Sequence, residues 1–340
     1  MKIFANYSLK NLNTFGIDVV ASRLFKAKSK KDLIKVAKNY KASDIFILGG
    51  GSNILLTRDI SQLVVQNLIK GIEIEKEDDR HIWVNFGAGE VWHECVLWAI
   101  ENGYGGIENL SLIPGLMGAA PIQNIGAYGV ELKDVFHSLE LVRLDTIKVE
   151  EYHLDTCNFG YRDSIFKREL KGKFCITKVC LKLTKTNHIL NTSYGAISKS
   201  LEEKGFHEPT IKNISDTVIQ IRQQKLPDPK KIGNSGSFFK NPTMNKAKFL
   251  TLQDKYPNIV FYDLGNGEIK VPAGWLIEQC GWKGKKIGNT GTHVNQALVL
   301  VNYGDANGEE VKQMALKIQD TVFRKYDVLL EMEVNIIPEY

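Results

Sequence analysis

The N-terminal part of the chain has a pattern of apolar and polar positions that predicts alternating helix and strand. Ser29 followed by Asp32 resembles a helix start, and apolar residues with helical spacing follow it at Leu33, Ile34, Val36, Ala37 and Tyr40. Residues 45–48 form a short apolar strand that runs directly into the sequence GGGSN. Strands at 63–65 and 82–86 precede a helix that contains Val91, Cys95 and Trp98 and ends at Gly103. The pattern therefore predicts an α+β beginning.

The middle of the chain combines a glycine-rich segment with further strands. Residues 105–129 are apolar without a regular period, which is typical of an ordered loop system that packs against a flat ligand. Strands are predicted at 139–144 and 176–183, where apolar and polar residues alternate. A polar interval at 185–216 precedes an apolar-periodic helix at 218–222, and we place a subdomain boundary there.

The C-terminal part predicts a strand, an amphipathic helix and a last strand. The first strand covers 297–301, and the helix carries one apolar face made of Val311, Met314, Ala315, Ile318 and Val322. In the last strand, 328–334, apolar residues alternate with Glu331 and Glu333, so both carboxylates leave the core on the same face.

Composition narrows the class of protein. A length of 340 residues exceeds what one hydrophobic core usually serves, so two or three subdomains are expected. The chain has no apolar stretch that could span a bilayer, and we expect a cytoplasmic protein with no membrane partner. The net charge of +5 is spread over scattered basic residues, which favours small anionic ligands and argues against nucleic acid. Five cysteines without a CxxC pair argue against a zinc site and a disulfide framework, so no metal is expected.

Three short motifs could carry chemistry, and each has an ordinary alternative. The backbone N–H groups of GGGSN suit a pyrophosphate, although a plain tight turn fits equally and no dinucleotide or P-loop pattern is present. Tyr161 and Arg162 could hold a carboxylate or tune a flavin ring, or Arg162 could pair with Asp163 at the surface. Ser237, followed by two phenylalanines, could donate a proton or could simply form a turn.

Ten ordered segments together resemble the UDP-N-acetylenolpyruvoylglucosamine reductase family in its longer type I form (MurB). They are NTFGI, ILGGGSNILL, GAGEVWH, ENLSLIPGLMGAAPIQNIGAYGVEL, FGYRDSIFK, KLPDPK, GSFFKNP, AGWLIEQCGWKG, HVNQALVLVN and LEMEV. The resemblance implies an α+β fold with a split FAD-binding domain of the vanillyl-alcohol-oxidase (PCMH) type and a C-terminal α+β substrate domain. By it, residues 1–70 and 328–340 form FAD-binding subdomain 1, residues 71–222 form subdomain 2 with a tyrosine loop at about 185–216, and residues 223–327 bind substrate.

The resemblance also implies a cofactor, a reaction and a set of site residues. NADPH reduces FAD, the flavin N5 delivers hydride to C3 of UDP-N-acetylglucosamine enolpyruvate, and protonation at C2 gives UDP-N-acetylmuramate for peptidoglycan. The catalytic residues would be Arg162, Ser237 as the acid, Glu333 and the adjacent Tyr161. The FAD contacts would be Gly49, Gly50, Gly51, Ser52, Asn53, Pro114, Gly115, Gly118, Gln123, Ile125, Gly126 and Ala127. The substrate contacts would be Tyr194, Arg222, Lys225, Asn241, Lys283 and Gln296, with Tyr194 on a mobile lid and the protein a monomer.

Several points stay open at the level of sequence. Glu333 would either be neutral and donate a hydrogen bond or position Lys225 and Arg162. The family often has proline where Met332 stands and arginine where Asn335 stands, so the local geometry at Glu333 could differ. An alcohol or sugar oxidase of the same FAD fold and a nucleotide-binding regulator without activity are the alternative functions.

Overall fold

The computed structural model describes residues 1–338 and mixes helices with strands in both halves of the chain, which confirms the α+β class. The helices are α1 (Lys30–Asn39), α2 (Trp92–Glu101), α3 (Gly195–Glu203), α4 (Ile211–Lys225), α5 (Lys246–Lys255), α6 (Ala273–Gln279) and α7 (Gly308–Tyr326). The first twelve strands are β1 (Ile3–Ser8), β2 (Val20–Ala27), β3 (Ile45–Leu48), β4 (Ile54–Leu56), β5 (Ile60–Asn67), β6 (Ile72–Glu77), β7 (His81–Gly87), β8 (Gly126–Ala127), β9 (Val130–Glu131), β10 (Phe136–Arg143), β11 (Val149–His153) and β12 (Phe174–Thr184). The remaining strands are β13 (Gly233–Ser237), β14 (Thr243–Asn245), β15 (Tyr262–Asp263), β16 (Glu268–Lys270), β17 (Lys286–Ile287), β18 (Thr290–Thr292), β19 (Val299–Asn302) and β20 (Asn335–Ile337).

The contacts within the chain define two compact units. Unit 1 consists of Met1–Tyr7, Ala21–Gly51 and Ile60–Gln224. Unit 2 consists of Ser8–Val20, Ser52–Asp59 and Lys225–Tyr340. The described C-terminal residues 328–338 belong to unit 2, because β20 pairs in parallel with β4. The three-part functional division expected from the sequence stays a prediction.

Unit 1 contains two sheets. The first has the order β1-β2-β5-β3, and β5 pairs in parallel with both β2 and β3. Helix α1 packs against it through Leu33, Val36 and Ala37, and the Ser29 side chain caps the helix by accepting from the backbone N–H of Asp32. The second sheet is antiparallel, with the order β11-β10-β12-β7-β6. Helix α2 and the loop system that follows it share a core with this second sheet.

The predicted elements of unit 1 are present, and one further helix appears in the interval expected to be a polar loop. Helix α3 lies within 185–216 and buries Ile197 and Leu201 against Ile214 and Val218 of α4. The polar interval hides this helix because only two of its nine residues are buried, too few for a clear apolar stripe.

Unit 2 is built around the sheet β13-β19-β18-β17, on which α7 packs. The apolar face predicted for this helix is buried, and Asn307 and Glu310 form a capping box at its start. The last strand differs from its prediction. Residues 328–334 make a single bridge, between Met332 and Phe239, and the strand forms later as β20. The segment that carries Phe239 continues through Asn241 to Pro242. Because a proline has no N–H to donate, it cannot extend the pairing with residues 328–334.

Two further findings concern composition. Cys95, Cys157, Cys175 and Cys180 are buried free thiols and Cys280 is partly buried, as expected from their spacing. Over residues 1–338, the structure contains no helix that is both long enough and apolar enough to cross a membrane.

Substitution of Gly308 tests the packing of α7 in unit 2. A Cβ atom at this first residue of α7 would overlap the carbonyl oxygen of Leu56, which belongs to the backbone and cannot turn away. We expect Gly308→Ala to lower the free energy of unfolding by about 1–3 kcal/mol. Urea unfolding followed by tryptophan fluorescence measures the change.

Gly195→Ala is the matched control, because Gly195 is also the first residue of a helix and nothing lies within 4 Å of its added Cβ. This variant should stay within about 0.5 kcal/mol of the unchanged chain or gain slightly. Equal unfolding midpoints for the two variants would contradict the packing argument.

Candidate active site

In unit 1 the glycine turn after β3 packs against a second loop, backbone to backbone. A Cβ atom on Gly50 would lie 3.3 Å from the Cα of Gly115, and Gly51 has a φ of 60°, which favours glycine. The turn therefore lies against the backbone of Gly115 and the side chain of Leu116. Ser52 and Asn53, the last two residues of the motif, belong to unit 2.

The loop that contains Pro114, Gly115 and Gly118 is fixed by backbone hydrogen bonds. The N–H of Trp92 donates to the Gly115 carbonyl at 3.0 Å, and the N–H of Gly118 donates to the Ala88 carbonyl at 2.9 Å. A Cβ atom on Gly118 would come within 2.6 Å of the Ala88 Cβ, so only glycine fits there. These bonds hold the backbone of the loop in a fixed position.

His93 supports the start of the same loop. Leu112 has a φ of 58°, unusual for a leucine, and its N–H donates to the His93 Nδ1 at 3.0 Å. Nδ1 must be unprotonated to accept this bond. Burial lowers the pKa of the His93 imidazole, opposed by the charge of Glu94, and this favours the neutral ring that the bond needs.

The next loop contains Gln123, Ile125, Gly126 and Ala127. Ile125 is buried and its carbonyl accepts from the N–H of Leu132 at 2.8 Å. Gly126 and Ala127 form β8, which pairs with β9 in a short hairpin. The positions predicted to contact FAD in unit 1 therefore lie on three ordered, backbone-bonded segments.

Arg162 lies on a tight turn beside this hairpin. Gly160 and Asp163 exchange backbone hydrogen bonds of 3.0 and 3.3 Å around it, and Arg162 itself has a φ of 55°. Its guanidinium donates to the Gly126 carbonyl at 2.7 Å and lies 5.4 Å from the centre of the Tyr161 ring. The Asp163 carboxylate, the alternative partner considered from the sequence, pairs with the Arg168 Nε at 3.2 Å.

A second arginine, Arg222 on α4, is held beside Tyr128. The phenol of Tyr128 and the Arg222 guanidinium influence each other's pKa. Burial lowers the pKa of Arg222, the charge of Arg162 adds to this effect, and Tyr128 opposes it. Within the described part of the chain, the buried Arg222 Nε has no hydrogen-bond partner. Tyr194 packs edge-on against Tyr128 with ring centres 5.2 Å apart, so Arg222 and Tyr194 share one neighbour.

In unit 2, Ser237 ends β13 at a bulge. Gly236 has a φ of 70°, and the register with β19 is irregular between Asn234 and Ser237. The two residues that follow, Phe238 and Phe239, are fully buried. Ser237 is partly exposed at the end of an apolar wall, as the sequence suggested.

Asn53 and Glu333 lie next to this strand in the same unit. The N–H of Glu333 donates to the Phe238 carbonyl at 2.9 Å, and the Asn53 amide donates to the Glu333 carbonyl at 3.2 Å. Asn335 donates to the Asn53 carbonyl from its backbone and its side chain, at 3.1 and 3.0 Å. Glu333 therefore has its backbone fixed one residue from Ser237 across the ladder.

The other substrate residues of the prediction occupy different places in unit 2. The Asn241 side chain accepts from the N–H of Ala273 at the start of α6, and a Cβ on Gly274 would lie 3.0 Å from the Gln296 side-chain oxygen. Asn241 and Gln296 thus meet at one helix end. Lys283 pairs with Glu278 at 2.8 Å on the surface, and Lys225 is exposed at the end of α4.

Three residues next to the predicted site were not singled out from the sequence. They are His93, Asn124 and Tyr128, which support Leu112, the Arg162 turn and Arg222 respectively. Asparagine in a glycine-rich loop is a signal for left-handed backbone, and Asn124 has a φ of 42°. Tyr128 and His93 carry no comparable signal, because their partners are distant in sequence.

These arrangements define the chemistry that each unit offers. Unit 1 presents backbone segments that a flat ligand can approach closely, together with two guanidinium groups suited to anions. Unit 2 presents a hydroxyl and a carboxylate on neighbouring backbone segments, either of which can exchange a proton.

Two protein-family models match this chain. Residues 21–147 match the family described as FAD binding domain, and residues 228–337 match the C-terminal domain of UDP-N-acetylenolpyruvoylglucosamine reductase. The chain is 52% identical to the UDP-N-acetylenolpyruvoylglucosamine reductase of Flavobacterium johnsoniae over 99% of this chain and 100% of the relative. It is 50% identical to that of Amoebophilus asiaticus, again over 99% and 100%.

A solved structure shares the fold. The crystal structure of UDP-N-acetylenolpyruvylglucosamine reductase (MurB) from Thermus caldophilus superposes with a TM-score of 0.68 at 23% identity, covering 99% of this chain and 98% of that one. The predicted combination of an FAD-binding domain with a C-terminal domain of this reductase, in an α+β fold, is confirmed. With half of its residues identical to full-length relatives, the chain belongs to the UDP-N-acetylenolpyruvoylglucosamine reductase family.

Proposed function

We propose that the chain uses FAD and NADPH to reduce UDP-N-acetylglucosamine enolpyruvate to UDP-N-acetylmuramate, a precursor of peptidoglycan. The observation that carries this proposal is the Arg162 guanidinium, bound at 2.7 Å to the carbonyl of Gly126 in the segment expected to contact FAD. A fixed cation next to the cofactor loop suits a substrate whose reacting group bears a carboxylate. The substrate, the donor and the residue roles rest on the family and on this arrangement.

The glycine segments of unit 1 fit FAD. Gly50 and Gly118 leave backbone exposed where a side chain would collide, and exposed backbone N–H groups suit a pyrophosphate. We assign Gly49, Gly50 and Gly51 to the pyrophosphate, with Ser52 and Asn53 adding side-chain hydrogen bonds. Pro114, Gly115, Gly118, Gln123, Ile125, Gly126 and Ala127 would line the rest of the cofactor. Bound FAD supplies the hydride chemistry, with NADPH as the source of the hydride and C3 of the enolpyruvyl group as its destination.

Arg162 would hold the carboxylate of the enolpyruvyl group. Addition of hydride at C3 moves negative charge onto that carboxylate, and a well-placed donor stabilises such charge by about 3 kcal/mol. The Arg162 guanidinium lies over the Tyr161 ring, which stabilises it because a cation is attracted to the face of an aromatic ring. Lys225 would add a second cation.

Arg222 and Tyr194 would bind the UDP part of the substrate. The Arg222 guanidinium is paired with a phenol rather than with a carboxylate in the interactions that shift its pKa, so its charge is available to a phosphate. Tyr194 is 43% exposed and rests on Tyr128, as a residue on a closing loop would. We assign Asn241, Gln296 and Lys283 to the remaining polar groups of the nucleotide sugar.

Ser237 would donate the proton to C2. A neutral hydroxyl is a weak acid at pH 7, but the carbanion left by hydride addition is basic enough to take its proton. The buried Phe238 and Phe239 keep the backbone behind this hydroxyl in place. Glu333 would orient the cationic groups or donate a hydrogen bond itself.

The proposed substrates are a nucleotide sugar and a nicotinamide nucleotide, which suits a cytoplasmic enzyme. We propose that the chain acts there as a monomer, without a nucleic-acid or membrane partner.

A first experiment tests the cofactor and the substrate together. The purified protein should be yellow, lose its absorbance near 450 nm when NADPH is added without oxygen, and regain it when the UDP-enolpyruvyl sugar follows. A colourless protein would contradict FAD. A protein that NADPH bleaches but the UDP-enolpyruvyl sugar does not reoxidise would contradict the proposed substrate, and one that only an alcohol or a sugar bleaches would point to an oxidase.

A second experiment tests the role of Ser237. Replacement by alanine removes the proton donor, so we expect Ser237→Ala to reduce flavin with NADPH at the original rate while reoxidation by the enol ether slows by about 10³-fold. Stopped-flow absorbance measures the two half-reactions separately.

Ser235→Ala is the control for this variant. Ser235 lies on the same strand and its hydroxyl bonds to the Ile54 carbonyl within unit 2, so its loss should leave both half-reactions within about 2-fold. Equal slowing of both half-reactions in Ser237→Ala would reject this serine as the acid.

A further inference from the structure

Asn124 is fully buried and uses its whole amide group. Its Nδ2 donates to the Gly160 carbonyl at 3.1 Å and to the Glu131 carboxylate at 3.0 Å. Its Oδ1 accepts from the N–H of Lys133 at 3.0 Å. A primary amide has two donor hydrogens, and both are engaged here. The Asn124 side chain therefore joins the loop before β8 to the end of β9, to Lys133 just after it, and to the turn that carries Arg162.

Two hydrogen bonds join the Arg162 turn to the loop that contains Asn124 and Gly126. The Asn124 amide donates to the Gly160 carbonyl, and the Arg162 guanidinium donates to the Gly126 carbonyl. The bonded positions are two residues apart on each segment. The mutual backbone bonds of Gly160 and Asp163 make the turn itself stiff. Two ties on a stiff turn determine where the guanidinium lies relative to the loop.

The turn needs this support because its backbone is strained. Arg162 has a φ of 55°, and a non-glycine residue persists in this region only where its surroundings hold it. Without the Asn124 bond to Gly160, the turn keeps only the bond from the Arg162 guanidinium to Gly126 on this loop, and its strained backbone can relax. The guanidinium would then move with respect to a ligand bound on that loop.

We infer that Asn124 is a positioning residue that acts through Arg162. The kinetic consequence rests on the proposed function, whereas the hydrogen bonds do not. Asparagine suits the place because it accepts a φ of 42° and supplies two donors. Aspartate would keep the shape but lose both donors and bring a carboxylate against Glu131. Glycine would keep the backbone and lose every side-chain bond.

The test is Asn124→Gly, which removes the amide without adding backbone strain. A displacement of about 1 Å at a catalytic group can cost 10²-fold in rate, so we expect reoxidation by the UDP-enolpyruvyl sugar to slow about 10- to 100-fold. Flavin reduction by NADPH should stay within about 2-fold. Stopped-flow absorbance of the full-length protein with bound flavin gives both rates.

Asn158→Gly is the matched control. Asn158 has a φ of 46° and is exposed, and its side chain makes no hydrogen bond to another described residue. It lies on the segment that leads into the same turn. Both half-reactions of this variant should stay within about 2-fold of the unchanged protein.

A double-mutant cycle separates positioning from a general structural role. If Asn124 acts through Arg162, then Asn124→Gly should cost less than about 2-fold when Arg162 is already alanine. A cost that is the same in both backgrounds, or equal slowing of both half-reactions, would overturn the inference. Should Asn124→Gly not fold, Asn124→Asp is measured in the same cycle with the same expectation.

Reoxidation of the unchanged protein distinguishes a failure of the proposed function from a failure of the positioning role of Asn124. If the unchanged protein is not reoxidised by the UDP-enolpyruvyl sugar, the proposed function fails. If it is reoxidised and Asn124→Gly is reoxidised equally fast, only the positioning role fails.

Discussion

Close contact of backbone with backbone is the constraint on which the candidate site of unit 1 depends. A Cβ atom on Gly50 would lie 3.3 Å from the Cα of Gly115, which is tight, and one on Gly118 would collide with the Ala88 Cβ at 2.6 Å. Such contacts remove side chains from the surface that the loops present, so a flat ligand can lie directly on peptide groups. The same closeness restricts how the loops can bend. The other residues of these loops must adopt the backbone angles that are compatible with these contacts.

The consequence is a set of strained residues, each with its own support. Leu112, Asn124, Tyr128 and Arg162 all have positive φ without being glycine. Three of them are supported by another side chain of unit 1, since His93 accepts from the Leu112 N–H, the Asn109 side chain donates to the Tyr128 carbonyl, and Lys167 donates to the Arg162 carbonyl. The fourth, Asn124, is held by the hydrogen bonds of its own side chain. Strain of this kind persists only where the surroundings over-determine it, and it is common in functional sites. The supports come from α2 and from other loops, so the site is as rigid as the core beneath it.

The sequence predicts the helices and strands of this structure better than it predicts the residues that support the strained backbone. Periodicity located α1, α7 and the strands around 45–48 and 176–183, because each carries an apolar face that a local pattern displays. It missed α3, whose buried face is narrow. The glycine turn and the Arg162 motif were visible as candidates, yet the choice between a site and a turn needed the family resemblance. The pairing of His93 with Leu112 and of Tyr128 with Arg222 could not be predicted, because nothing local relates such distant positions.

Glu331 and Glu333 show where a local pattern stops being informative. Alternation put Glu331 and Glu333 on one face, and a strand pattern has no means of ranking them. The structure separates them by their neighbours in unit 2. Glu331 is exposed and pairs with the Lys240 side chain, which directs its charge to the surface. Glu333 is only partly exposed, and its backbone is bound by Phe238 and Asn53 beside the strand that ends in Ser237. The segment that carries Glu333 therefore lies directly beside the strand that ends in Ser237, while the Glu331 carboxylate is engaged by Lys240. This difference supports the role proposed for Glu333.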